Sequence, residues 1–252
     1  MWEDATTKFA YGKRRRYLLG EQLDSVMNYP FADAVLSFVR FPNANAFFDS
    51  VMSVVENYPP QVTNVLMNHI GTHDTERAIS RLAGEDCKGY GRQWQHEHDR
   101  LGEYEYLKGV SMMKIASLIQ YTLPGVPSLY YGDEAGMQGL RDPFNRECMN
   151  WDKPNEELHR WYKRLGEIRM GCKVFAHGEF VPVYSNHKTI AYLRSDEDSE
   201  VLVAVNLDDT DVDIFVGEQW DNSYNFFDAK AENGYIHLEP VSYTHLRAHE
   251  TL

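Results

Sequence analysis

A change of hydrophobic period near Gly171 constrains this chain more than any other feature. Before it, strand-like and helix-like segments alternate. Leu23–Asn28 is short and apolar and ends in the turn-like Asn28-Tyr29-Pro30. Phe47, Val51, Val54 and Val55 then recur at helical spacing, with Asn43 or Asn45 as cap and Pro59-Pro60 as stop. Val62–Asn68 reads as a strand, and Tyr104–Tyr121 as a helix with a wide apolar band from Leu107 to Ile119. Val126–Tyr131 is a third strand. A third helix starts near Asn155, buries Leu158, Trp161, Tyr162, Leu165 and Ile168, and has Gly171 just past its end.

After Gly171 no helical period remains. Phe180–Tyr184, Ile190–Leu193, Val201–Asn206, Val212–Phe215, Tyr224–Phe227 and Tyr235–Leu238 are short strands separated by turns such as Asp208-Asp209 and Asn233-Gly234. The expected fold class is therefore α/β followed by all-β: a parallel sheet with crossover helices, then a small antiparallel β domain. With 252 residues, 43% of them hydrophobic, the chain can bury one large core or two modest ones. Three βα units do not close an eight-unit barrel, so the first part is either an open three-layer sheet or a piece of something larger.

Charge and composition exclude some partners. A formal net charge of -13 repels phosphate backbones, so no nucleic acid is expected. Nothing approaches the roughly 18 consecutive apolar residues of a membrane span, so no membrane is expected either. Cys87, Cys148 and Cys172 are sparse and widely spaced. That suits buried thiols in a reducing, cytoplasmic location and gives no metal pattern. There is no secretory signal at Met1.

In parallel α/β structures, ligands lie at the C-terminal ends of the strands. The three expected strand ends carry Asn28 and Tyr29; His73, Asp74 and Arg77; and Asp133 and Glu134, followed by Asp142 and Arg146 in a loop. Amide, imidazole, carboxylate and guanidinium groups beside aromatics suit a hydroxyl-rich ligand such as a sugar. Each group also has a plainer reading. Asp74 can cap a helix, Arg77 can be its surface partner, Asp133-Glu134 can be loop carboxylates, and Asn28-Tyr29-Pro30 can be only a turn. His69 and His73 straddle Gly71 and are a poor metal pair. His96/His98 and His245/His249 lie in polar stretches and read as solvated.

Four segments carry a family resemblance. Leu23-Asp24-Ser25-Val26-Met27-Asn28-Tyr29-Pro30-Phe31 resembles the neopullulanase, cyclomaltodextrinase and maltogenic amylase branch of the alpha-amylase family, glycoside hydrolase family 13. Ile70–Arg77 is similar to that family's fourth signature region. Leu123–Met137 resembles its eighth-strand segment, and Asp142-Pro143, Arg146 and Met149-Asn150-Trp151 resemble the loop that follows. The resemblance implies a (β/α)8 TIM barrel followed by a β-sandwich. Residues 1–171 would then be the C-terminal portion of the barrel, with about three βα units, and 172–240 the sandwich. Residues 241–252 read as a spurious tail outside the fold.

The implied activity is retaining cleavage of α-glucosidic bonds. It requires a nucleophile and an acid/base carboxyl group. Asp74 would be the third carboxylate, stabilising the transition state. His73, Arg77, Asn28, Tyr29, Asp133 and Arg146 would bind substrate. By the same resemblance the acid/base Glu of a Gly-Glu-x-Trp pattern falls immediately before Met1, with Trp2 as its Trp, and the nucleophile lies upstream. The expectation is a C-terminal fragment, inactive alone, whose partner is an α-glucan oligosaccharide; a homodimeric parent enzyme is an arrangement the resemblance allows. No cofactor is expected. Calcium is used in parts of the family, but no oxygen-rich loop of calcium spacing is visible. The alternative is a non-catalytic oligosaccharide-binding or structural barrel remnant.

Overall fold

The computed structural model describes residues 9–10, 13–14, 22–227 and 231–247. The expected readings around Met1, Trp2 and His249 lie outside them. A short hairpin pairs β1 (Phe9–Ala10) with β2 (Lys13–Arg14).

The first helix, α1 (Tyr29–Arg40), stands where the sequence suggested only a turn. Asn28 is its N-cap, accepting from the Phe31 N–H at 3.3 Å, and Pro30 sits in the first turn, where no amide is missed. Phe31, Val35, Leu36, Phe38 and Val39 are buried along it. In α2 (Ala44–Val55) the cap is Asn43, which accepts from Ala46 N at 3.1 Å.

The expected strand over Val62–Asn68 divides. Pro60–Thr63 forms a helical turn, α3, and only Met67–Asn68 is extended, as β3. Pro60 fixes the φ that starts the turn. Of Val126–Tyr131, only Val126–Pro127 pairs, as β4. Val126 N donates to Leu66 O at 2.7 Å and Ser128 N to Asn68 O at 2.6 Å, and Pro127 between them takes the ladder position that needs no donor. Leu23–Asn28 contributes one bridge, Met27 to Met67. Met27, β3 and β4 nevertheless run parallel, in that order. Between β3 and β4 come α4 (Ala78–Ala83), α5 (Arg92–His98) and the long α6 (Glu103–Thr122). Sequence periodicity detected α6 but neither α4 nor α5. The exposed His98 ring stacks on Trp94 within α5. A 3-10 turn at Phe144–Arg146 precedes α7 (Glu156–Gly171), capped by Asn155; Gly171 is its last helical residue rather than the residue beyond.

A short α8 (Val174–His177) leads into two antiparallel sheets. The larger has the order β5 (Glu179–Asn186), β6 (Thr189–Ser195), β7 (Glu200–Asn206), β12 (Ser242–Arg247), β9 (Tyr224–Asn225). In the smaller, β11 (Tyr235–Leu238) lies between β10 (Ala231–Glu232) and β8 (Val212–Phe215). The sequence reading set 241–252 outside the fold, whereas β12 pairs along β7 from Ser242↔Asn206 to Arg247↔Val201. The register continues the alternation of the sheet, with Thr244 and Leu246 buried.

The larger sheet is covered on both faces, which explains its near-continuous apolar run Val201–Val205. Val201, Val203 and Val205 join Ile190 and Tyr192 in the core shared with α1, α2, α6 and α7. Leu202 and Ala204 face the other way, into a smaller core with Ile214, Trp220, Ile236 and Leu238. Cys87 and Cys172 are buried as expected, while Cys148 is exposed.

Two buried guanidiniums join these layers at the C-terminus of α6. Arg194, on β6, donates to Thr122 O at 2.5 Å, Gly178 O at 2.8 Å and Glu179 O at 3.3 Å. Arg169, on α7, donates to Tyr121 O at 2.5 Å and Phe175 O at 3.1 Å. Burial pulls Arg194 down to about 9 and Arg169 to about 10. Nearby, Thr122 Oγ1 and the Tyr192 hydroxyl are 2.5 Å apart. Replacing Arg194 by Met keeps the volume but strands several carbonyls. Arg194→Met should lower the unfolding free energy by about 3 kcal/mol, read from urea denaturation. An unchanged midpoint would contradict this account.

Beneath the ends of the parallel segments lies a third buried guanidinium. Arg77 is fully buried, with its guanidinium 4.5 Å from the ring centres of both Tyr130 and Tyr131, and it donates to Tyr131 O. Its Nη1 is 3.8 Å from Asp133 Oδ1. Burial raises the Asp133 carboxyl from 3.8 to about 7, Arg77 pulling it partly back. Burial lowers the nearby His69 from 6.5 to about 4.

The two groups oppose each other in pH. Folded Asp133 keeps its proton to higher pH than unfolded Asp133, so its contribution favours folding at low pH and fades toward about 7. Folded His69 loses its proton earlier, so its contribution is present at neutral pH and lost as pH falls from 6.5 toward about 4. Relative to wild type, Asp133→Asn should therefore lose stability more steeply on acidification through that window. His69→Asn should lose less, by about 3 kcal/mol across it. Coincident pH profiles for all three proteins would refute both assignments.

Candidate functional site

The three parallel segments end on one side of the molecule, and the loops that follow them meet there. After β3, the Thr72 hydroxyl accepts from Asp74 N at 3.1 Å, and Thr75 Oγ1 accepts from Thr72 N at 3.3 Å. These local bonds close a tight turn that carries His73 and Asp74 outward. Their side chains are 59% and 56% exposed, and His73 Nε2 lies 3.3 Å from Asp74 Oδ1.

The loop after β4 holds this turn from the other side. Asn145 is fully buried and donates from Nδ2 to His73 O at 2.9 Å and to Thr75 O at 2.6 Å. Arg146 donates from Nε to His73 O at 3.0 Å. The same guanidinium stands between two carboxylates, 3.6 Å from Asp74 Oδ1 and 3.5 Å from Asp142 Oδ1. Glu76 and Arg141 pair at 2.7 Å and tie the two loops again further along. A cleft of about 460 Å³ opens beside Asp74, lined also by Arg40, Phe41, Glu76 and Arg141.

Of the residues expected at the site, His73, Asp74 and Arg146 come together at the surface. Asn28, Arg77 and Asp133, expected there too, lie buried instead. Asn28 is 0% exposed: its carbonyl caps α1 and its amide donates to Asn68 Oδ1 at 2.9 Å. Arg77 is 0% and Asp133 2% exposed. Strand-end position marked them, and the fold sets them below the surface. Tyr29 is half-buried with its ring edge on His69, 4.6 Å between centroids. Sequence reasoning missed Asn145, whose only signal was its place beside Arg146 in the matching loop.

His69 points inward and His73 outward, so the pair does not converge. Among the described residues, no three metal-type side chains gather, and no helix is long and apolar enough to cross a membrane. The exposed cluster offers a carboxylate acceptor, an imidazole and a fixed guanidinium. That set suits paired hydroxyls, and the Asn145 and Arg146 bonds hold it in place beforehand.

Comparison with known proteins places the chain in a family. The model of the alpha amylase catalytic domain matches residues 6–164. A cyclomaltodextrinase from Bacillus sp is 33% identical over 198 residues, covering 76% of this chain and 31% of that protein. Neopullulanase 2 from Thermoactinomyces vulgaris is 29% identical over 212 residues, covering 82% of this chain and 31% of that protein. A solved cyclomaltodextrinase superposes with a TM-score of 0.73 at 27% identity, covering 92% of this chain and 38% of the other. This chain thus spans about a third of the length of these two curated relatives. The matched catalytic-domain region contains the His73–Asp74 turn and the Asn145–Arg146 clamp, and the chain belongs to the alpha-amylase family.

Proposed function

We propose that this chain is the substrate-gripping part of a retaining α-glucan hydrolase or transglycosylase of the cyclomaltodextrinase and neopullulanase type. The exposed His73–Asp74 pair, held by Asn145 and Arg146 at the ends of parallel segments, carries this reading. Asp74 accepts hydrogen bonds from sugar hydroxyls and stabilises the transition state, and His73 donates to the same ring. Both interactions strengthen as oxocarbenium-like charge develops. Arg146 braces Asp74 between the loops and is open to the same ligand. Relatives named for cyclomaltodextrin and pullulan point to an α-glucan oligosaccharide as the ligand.

The architecture that goes with this reading has residues 1–171 as part of a (β/α)8 barrel and the following residues as a β-sandwich packed on it. Residues 22–171 hold three parallel segments, each followed by helix, in line with three βα units. Double displacement needs two carboxyl groups flanking the scissile bond, in addition to Asp74. Asp142 shares Arg146 with Asp74 and so belongs to the same gripping cluster. On this reading, 1–252 binds glucan and does not cleave it.

Calorimetry with maltotriose tests the grip. The wild-type chain should bind weakly, and Asp74→Ala should weaken binding at least about tenfold, the loss of one charged hydrogen bond. Equal binding heats for the two proteins would sink the role of Asp74. Reducing-sugar release from cyclodextrin or pullulan should stay at background for 1–252, and turnover would overturn the view that it only binds.

A further inference from the structure

We propose that an ordered water bridges the buried side chains of Arg77 and Asp133, under the His73–Asp74 turn. The inference rests on unmatched polar atoms. Arg77 Nε and Nη2, and both carboxylate oxygens of Asp133, are buried without a hydrogen-bond partner from the protein. Arg77 and Asp133 are 0% and 2% exposed, so bulk solvent does not reach them. Their closest approach, 3.8 Å between Nη1 and Oδ1, is too long for a direct bond. Polar groups facing each other at such a distance are commonly joined by a bridging water.

The surroundings hold both side chains in place. Tyr130 and Tyr131 both lie 4.5 Å from the guanidinium, and its Nη1 is committed to Tyr131 O. On the other side the carboxylate lies against Gly71, where an added Cβ would come within 2.5 Å of Asp133 Oδ2. At Gly132 a Cβ would come within 3.1 Å of Arg77 Nη1. Glycine at both positions lets backbone pass close to the charged pair.

More unmatched oxygens lie in the same region. Glu134 Oε2 and the Tyr162 hydroxyl are buried and unpartnered, and Tyr162 feels the charge of both Asp133 and Glu134. Buried polar groups are almost always satisfied by protein or by ordered water. Water bridging donors on Arg77 to acceptors on Asp133 satisfies the pair without moving either. It would also couple the interior to the exposed turn through Gly71, which stands two residues before His73.

A crystal structure of 1–252 at a resolution that shows water tests the proposal. The expected result is density within hydrogen-bonding distance of an Asp133 carboxylate oxygen and of Arg77 Nε or Nη2. Two results overturn it: a direct paired contact between the Arg77 guanidinium and the Asp133 carboxylate, or no solvent density between them. Should crystals fail, water-selective NMR on the chain labelled at arginine nitrogen gives a second reading. A water cross-peak at the Arg77 Nε–H with the NOE sign of a long-lived bound molecule supports the site, and its absence overturns it.

Discussion

The C-terminus of α6 is the point through which the helical layer and the sheets are joined. A helix ends in carbonyls without intrahelical partners and with partial negative charge. Here Arg169 and Arg194 supply donors from two different elements, α7 and β6, and each also binds carbonyls of the α8 connection. A planar fork that must meet several fixed oxygens tolerates little sliding. The larger sheet is therefore locked against α6, and β4, which starts four residues after that helix ends, takes its position from the same junction.

Above this junction the site has two tiers with different chemistry. The lower is buried: Asn28 with Asn68, Arg77 with Asp133, and Asn145 under the turn. The upper is exposed: His73, Asp74, Asp142 and Arg146. Backbone carbonyls connect them, since His73 O accepts from both Asn145 and Arg146. The exposed charged groups are thus carried on a turn whose backbone is fixed from below, which limits the entropy that ordering them would cost.

Much of this was legible from periodicity and from short motifs. α2, α6 and α7 show clear apolar spacing, and all six expected strands after Gly171 are present. What escaped did so for physical reasons. α1 was masked because Asn28-Tyr29-Pro30 serves equally as a turn and as a helix start, and only the apolar face beyond it decides. The strand expected over Val62–Asn68 is shorter than its apolar run because Pro60 starts a helical turn that takes in its first residues. Arg77 and Asp133 lie at the strand ends that the sequence marks, but below the surface. One-dimensional pattern carries no information on which of two charged residues at a strand end is covered by neighbouring tyrosines. β12 was set aside on its unusual sequence, although Thr244 and Leu246 keep the inward period of two.

The place of β12 bears on the order in which the sheet can assemble. Among the described residues β9 pairs only with β12, and β12 lies between it and β7. As the chain is synthesised, β5, β6 and β7 can pair in sequence as a meander of near neighbours. β9 emerges next but must wait, unpaired, until β12 threads into the gap. Closure of this sheet is therefore governed by contacts distant in sequence, the class that slows folding most. Until then the β7 edge stands open to any other extended segment in the cell.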